Sequence, residues 1–488
     1  MTRDLRHPWG PDPRSAAMTV AALTMTWIAL KLVAMWGWVF LPDEYGDTYY
    51  YFLVAEERLG AAAFPEYPTP AALLLNLPYL LGVHDYENYR LVIMISMTAA
   101  DAAFAVLLGR LAGPISVLGW MILTTALGQV ALLRFDMLPA VVAAAALLLA
   151  MNKSNRASMI LVTIGVSLKV WPIILIPLLL MVSTRRKQAL AWLGGSGLIL
   201  LIGALLAGGS QRLWSPLIYQ TERGLQIEAI AATPSMRAWA IQPGFAVAYS
   251  PFRAYEVTGP GVPGALAAVT ALTIAAFIGW IVLVVWWIRR GSQPAATPYL
   301  AMTGIGAFLV TSAALSPQYL LWIAAPTAVL LGLRVGAGSG PAPYPAQLTW
   351  MGVIVICLLT TAIYPVNYAG LFELSPTTPR VIALLTLRNI LLVIFVLWSA
   401  AVTWVLIGVG APPRQRHRTD ASAPDPARSG PSEKHTPARL EPAPTAPHPE
   451  PAPTPVPTRA EPMPGESEPE PPHRPARVAI DPQPHGGD

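Results

Sequence analysis

Residues 16–41, AAMTVAALTMTWIALKLVAMWGWVFL, run through Pro42 into Asp43-Glu44-Tyr45-Gly46-Asp47-Thr48-Tyr49-Tyr50-Tyr51. The first part is one apolar run, longer than the ~20 residues a helix needs to cross a bilayer. It is too long for a cleavable signal peptide and lacks a cleavage site, so it reads as a signal anchor. The second part is acidic and aromatic. Charge at the mouth of a span is costly unless it is used, which makes Asp47 the residue to explain.

Working outward, the 488-residue chain is 54% hydrophobic and 12% charged, with a mean hydropathy of +0.50. Soluble domains are about a quarter charged, so the composition predicts an all-α polytopic membrane protein. The single cysteine, Cys357, lies in an apolar run, which rules out a disulfide framework or a thiolate metal site. The net charge of +5 does not point to nucleic acid, because the basic residues sit in short loops and a tail, as they do at a cytoplasmic membrane face.

Apolar stretches at 16–41, 89–109, 115–133, 137–151, 157–170, 171–182, 188–208, 263–288, 298–315, 318–333, 347–364 and 381–409 predict about twelve transmembrane helices. The short ones are expected to be sheltered from lipid, and the pair meeting at Lys169-Val170-Trp171-Pro172 can be one broken helix. Arg110, Lys153, Arg156, Arg185-Arg186-Lys187, Arg289-Arg290 and Arg334 fall on one side of this count, with residues 1–15 and the Arg414, Arg416, Arg418 cluster. That side is cytoplasmic by the positive-inside rule. The external side holds two long loops, 42–88 and 209–262, and most of the acids before the tail. Residues 69–82 read as a helix in the interface or packed on the bundle. The membrane domain is thus 16–410. Residues 411–488, rich in proline, glutamate, arginine and alanine without apolar periodicity, read as a disordered cytoplasmic tail.

Five constellations share the external face. Asp47, between Gly46 and hydroxylated aromatics, is a candidate general base, against the plain alternative of a solvated loop acid. Arg134-Phe135-Asp136 reads as an ion pair in a tight turn, structural or substrate-binding. Lys169, a lone cation beside Pro172, can bind phosphate or snorkel to lipid headgroups. Arg223, in Arg223-Gly224-Leu225-Gln226-Ile227-Glu228, offers a planar fork for phosphate, against a solvated amphipathic helix. Gln318 and Tyr319, in Ser316-Pro317-Gln318-Tyr319-Leu320-Leu321-Trp322, bring polar groups to membrane depth, where they need partners. Lys31 and Asp101 lie inside neighbouring spans and read as a structural ion pair outside the site.

Taken in order with Tyr67-Pro68-Thr69-Pro70, these segments resemble the actinobacterial polyprenol-phosphate-mannose-dependent mannosyltransferases, glycosyltransferase family 87 of the C superfamily, over residues 20–405. The resemblance implies a glycosyltransferase C-type fold with an external cavity, a polyprenyl-phosphate sugar donor (most often mannose) and a catalytic aspartate at Asp47, with Asp43 and Glu44 making this loop more acidic than the family's simplest pattern. It implies no bound metal, and no cofactor is expected. The expectation is an inverting transferase of the cell membrane, acting on a glycolipid or glycan acceptor at the extracytoplasmic face. Asp47 would take the acceptor proton, and Lys169, Arg223 and Arg134 would hold the donor phosphate. Glu44, Tyr49, Asp136, Glu228, Gln318, Tyr319 and Trp322 would contact substrate. The alternative is a transporter or flippase of a lipid-linked saccharide, which many spans and broken helices also fit; against it, the charges cluster on one face and the halves do not match.

Overall fold

The computed structural model describes residues 13–40, 46–56, 64–333 and 344–409. Asp43, Glu44, Arg334, residues 1–12 and the tail from residue 410 lie outside them. The chain divides into two units, Met1–His417 and Arg418–Asp488, and the second falls wholly outside the described residues.

What is described is mostly α-helix, with short 3-10 turns and a two-stranded hairpin. Among the described residues, six helices are long and apolar enough to cross a membrane: Arg14–Trp36, Tyr86–Leu111, Arg186–Gly208, Val262–Arg289, Tyr344–Ile363 and Thr378–Val409. They expose large apolar side chains such as Leu198, Ile199 and Leu206, and Ile274, Phe277 and Ile278. Apolar area on that scale is incompatible with a water-facing monomer and suits lipid, so this is a membrane protein.

Six shorter apolar segments, Pro114–Ala126, Met137–Met151, Asn155–Leu168, Trp171–Val182, Pro294–Val310 and Pro317–Gly332, fall on the remaining expected stretches. Three of the helices within them are buried nearly all round: Met137–Met151, Thr297–Val310 and Leu321–Gly332. A helix apolar on every face belongs in a core. The short helices therefore form the centre of the bundle and several long ones its lipid-exposed rim. The expected stretch 115–133 divides at Gly128, whose φ of +53° suits a residue without a Cβ; the chain resumes as Gln129–Leu133.

Two other breaks position functional groups. The helix Asn155–Leu168 stops at Lys169, which is extended (φ −156°, ψ 140°), and the chain continues as the 3-10 turn Trp171–Leu175. Pro172 accounts for the stop: it cannot donate to the carbonyl four residues back, and its ring would collide with it. The helix Thr69–Leu80 packs Ala71, Ala72 and Leu75 inward and leaves Leu73, Leu77 and Leu80 exposed, where a helix packed on the bundle or lying in the interface is expected. The hairpin Ala246–Tyr249 with Tyr255–Thr258 is a small departure from the all-α expectation. It is anchored by Gly224 N, which donates to Glu256 Oε1 at 3.2 Å. A Cβ on Gly224 would collide with that carboxylate, so the loop can approach so closely only with glycine.

Lys31 and Asp101 pair as expected, 3.1 Å apart and both buried. Trp27 Nε1 donates to the same Asp101 oxygen at 2.6 Å, and Lys31 donates to Thr124 Oγ1 at 2.9 Å. This cluster lines neither of the cavities described below.

Candidate active site

The candidate site is built from helix ends. Asp47 opens the helix Asp47–Ala55 behind Gly46, whose extended backbone (φ −82°, ψ 150°) starts the helix without a side-chain cap. A carboxylate in a first helical turn is stabilised by the helix dipole. Arg134 follows the helix Gln129–Leu133 and Lys169 follows Asn155–Leu168. Gln318 and Tyr319 lie in the turn Pro317–Leu320 that leads into Leu321–Gly332. Tyr364 comes directly after Tyr344–Ile363.

These ends enclose a cavity of about 410 Å³, lined by Asp47, Tyr49, Glu66, Arg134, Lys169, Arg223, Gln318 and Tyr319, and closed on another side by Tyr249, Phe252 and Arg253 of the hairpin. Seven of the expected site residues thus meet at one cavity.

The charges inside pair across the fold. Arg134 Nη1 lies 2.5 Å from Asp47 Oδ1, and the same guanidinium donates to Tyr364 and sits 5.1 Å from that ring's centre. Asp47 Oδ2 accepts from Gln318 Nε2 at 3.0 Å and from Tyr51 at 3.3 Å. Lys169 Nζ reaches both oxygens of Asp136, at 2.8 and 2.9 Å. The ion pair within the Arg134-Phe135-Asp136 turn does not form: Arg134 turns to Asp47 and Asp136 to Lys169. The crossing gives the buried Asp136 and the half-buried Asp47 one cation each, whereas an Arg134–Asp136 pair would take the buried counter-ion from Lys169.

Aromatic rings complete the walls. Lys169 Nζ lies 5.1, 5.2 and 5.5 Å from the ring centres of Tyr67, Tyr319 and Trp322, within cation–π range. Trp322 stacks on Tyr319 at 4.3 Å and on Trp171 at 5.0 Å, and its Nε1 donates to Asp136 Oδ1 at 2.8 Å. Asp136 and Trp322 therefore support Lys169 from behind rather than line the polar cavity. Tyr51 and Tyr67 share a 3.0 Å hydrogen bond. Burial pushes both phenols well above their usual range, so they stay neutral donors.

Arg223 and Arg253 line the cavity but form no ion pair among the described residues. Arg223 packs over Tyr219 at 5.5 Å with its Nε buried and without a hydrogen bond. Arg253 covers Tyr50 at 5.4 Å. A second cavity of about 300 Å³ adjoins the first and shares Glu66, Lys169, Gln220 and Tyr319 with it. Its other walls are mostly apolar, among them Trp171, Ile174, Phe277, Trp280, Phe308 and Trp322. Gly304 forms part of this wall: a Cβ there would come within 2.5 Å of Trp280 Nε1 and 2.9 Å of Ile174. Trp280 is held in place by its hydrogen bond to the Leu300 carbonyl at 3.0 Å.

Glu228 is placed apart. It is fully buried and bound to Arg388, Nη1 to Oε2 at 3.0 Å, while Nη2 donates to the Glu228 carbonyl at 2.8 Å. Burial raises its carboxyl and Arg388 works against that shift. It lines neither cavity, so the expected substrate contact is a buried structural pair. Glu44 lies outside the described residues. Glu66, Tyr364 and Arg253 were not singled out in the sequence. Glu66 left one signal, an acid directly before the Tyr67-Pro68-Thr69-Pro70 segment; the other two left none. Among the described residues, no cluster of three or more His, Cys, Asp or Glu side chains could hold a metal ion.

No family model matches the chain, and no curated protein matches it.

Proposed function

We propose that this protein is an inverting glycosyltransferase with a C-type fold of about twelve spans, its cavity open to the extracytoplasmic face. It transfers a sugar, mannose by the sequence resemblance, from a polyprenyl phosphate to a glycolipid or glycan acceptor. The observation that carries this reading is the junction of the two cavities. One is polar and holds an oriented carboxylate among cations; the other is apolar and aromatic; Lys169, Glu66, Gln220 and Tyr319 belong to both. A lipid-linked sugar phosphate has the same division, with a prenyl chain, a charged link and a polar head.

In this reading Asp47 accepts the proton of the acceptor hydroxyl. The oxygen attacks the anomeric carbon from the face opposite the phosphate, and the bond from that carbon to the phosphate oxygen breaks. Arg134 and Gln318 hold Asp47 in place rather than binding the donor. The unpaired guanidinium of Arg223, with Lys169 at the junction, is set to stabilise the charge that grows on the departing phosphate.

The test is transfer in detergent solution, with purified protein, labelled polyprenyl-phosphate-mannose and a panel of glycolipid acceptors. The expected product carries a new glycosidic bond of inverted anomeric configuration. Uptake or translocation in sealed vesicles without any new bond would favour a flippase and overturn the proposal.

A further inference from the structure

Glu66 has no place in the chemistry described so far, yet among the described residues it is the one carboxylate that lines both cavities. We propose that Glu66 is the acid partner of Asp47: as a neutral carboxyl it donates a hydrogen bond to the phosphate of the lipid-linked donor and passes its proton to that phosphate as it leaves. This rests on the transferase reading and assigns the second half of its proton transfer.

Position comes first. A donor with its prenyl chain in the apolar cavity and its sugar in the polar one has its phosphate at the junction, where Glu66 and Lys169 lie. An ionised carboxylate there would repel the phosphate. A neutral one adds a donor where donors are needed. The groups facing Glu66 pull in both directions, and its burial decides for the neutral form. Tyr50, on the helix Asp47–Ala55, donates to Oε2 at a long 3.4 Å. Asp47 on the same helix is a like charge, Lys169 supplies an opposite one, and Tyr67 and Tyr219 complete the surroundings. Burial is the largest influence and holds the Glu66 carboxyl above the usual carboxylate range.

Asp47 differs in every respect. It receives Arg134, Gln318 and Tyr51, three donors that orient its oxygens toward an incoming hydroxyl. Two carboxyl groups in one cavity, one raised by burial and one gripped by three donors, divide the acid and base roles.

The step balances. The acceptor O–H proton goes to Asp47 and its oxygen bonds to the anomeric carbon. The bond from that carbon to the phosphate oxygen breaks, with its electron pair passing to the phosphate. The Glu66 proton moves onto the phosphate, whose second ionisation lies near pH 6. The second negative charge is thus shared between phosphate and Glu66, facing Arg223 and Lys169. Loss of a proton from Asp47 and uptake of one by Glu66 restore the enzyme.

The test compares Glu66→Gln with wild type across pH. The amide still donates a hydrogen bond but has no proton to give. At neutral pH kcat is expected to fall by about a hundredfold, with the donor KM nearly unchanged. Wild-type kcat should decline on the alkaline side as Glu66 ionises, and the variant should lose that limb. A Glu66→Gln enzyme with wild-type kcat and a wild-type pH profile overturns the assignment while leaving the transferase reading intact. Absence of transfer by the wild-type protein removes both. Glu66→Asp, which keeps the proton on a shorter arm, should recover part of kcat; failure to do so alongside a raised donor KM would mark Glu66 as a spacer only.

Discussion

Two acid–arginine pairs in this molecule look alike in the sequence and differ in the fold. Asp47 with Arg134 and Glu228 with Arg388 each join a carboxylate from one of the two long segments between apolar stretches to a guanidinium near a helix end or within a helix. The Asp47 side chain keeps 30% of its surface exposed while Arg134 keeps 4%; Glu228 and Arg388 keep none. Asp47 is gripped by Arg134, Gln318 and Tyr51 and still faces a cavity. Glu228 ties the loop before Thr233–Trp239 to the helix Thr378–Val409, where Asn389 also donates to Thr233 Oγ1 at 2.8 Å. The difference teaches that pairing alone does not mark a site: a working carboxylate is oriented and left with room for one more partner, and a structural one is sealed.

Substitutions can break this comparison. Asp47→Asn should lower transfer by about 10²–10⁴-fold, the span of general-base contributions, with an unaltered gel-filtration profile; near-normal transfer would remove Asp47 from the mechanism. Arg388→Ala should act on stability, costing about 3–5 kcal/mol because Glu228 is left charged and buried. Denaturation in detergent would measure this, and a second change, Glu228→Gln, should return much of the loss. A smaller effect is expected from Gln318→Ala, which removes one hydrogen bond to a charged group, about 1.5–3 kcal/mol. It should appear in kcat for transfer and lower the unfolding midpoint less than Arg388→Ala does.

The smallest effect concerns pH. The folded state holds the Glu66 carboxyl above its ordinary 4.5, so the fold favours the protonated form. That contribution is fully present below pH 4.5 and is lost as pH rises through the folded value. Relative to Glu66→Gln, wild type should therefore lose thermal stability as pH climbs from acid toward neutral; melting curves of the two proteins over that range should diverge, and parallel curves would contradict it.

Much of the helical fold was legible because apolar length is read directly: the expected stretch 137–151 is the helix Met137–Met151, and Lys169 before Pro172 marked a break that the backbone makes. The hairpin was not legible. Ala246–Tyr249 and Tyr255–Thr258 are four residues each, and Val257 N is fixed by the Leu225 carbonyl at 2.9 Å, a contact with no local signature. Of the site, Asp47, Arg134, Lys169, Arg223 and Gln318 could be read because polar groups at helix ends are few in so apolar a chain. Their partners could not. Nothing local says that Arg134 passes over Asp136 to reach Asp47, or that Glu228 of the Arg223–Glu228 segment turns away from the cavity toward Arg388. Those choices are made by long-range packing, and burial decides them.

The apolar cavity has a calibre, and one absent atom sets part of it. With hydrogen at residue 304 the wall stands back; with a methyl it would press on Trp280 and Ile174, and Trp280 is fixed by Leu300. A chain bearing a methyl branch on every fourth backbone carbon is bulkier along its whole length than a straight acyl chain. On the proposed function, position 304 serves as a gauge: Gly304→Ala should lower use of a prenyl donor relative to a straight-chain one without touching a single charged group.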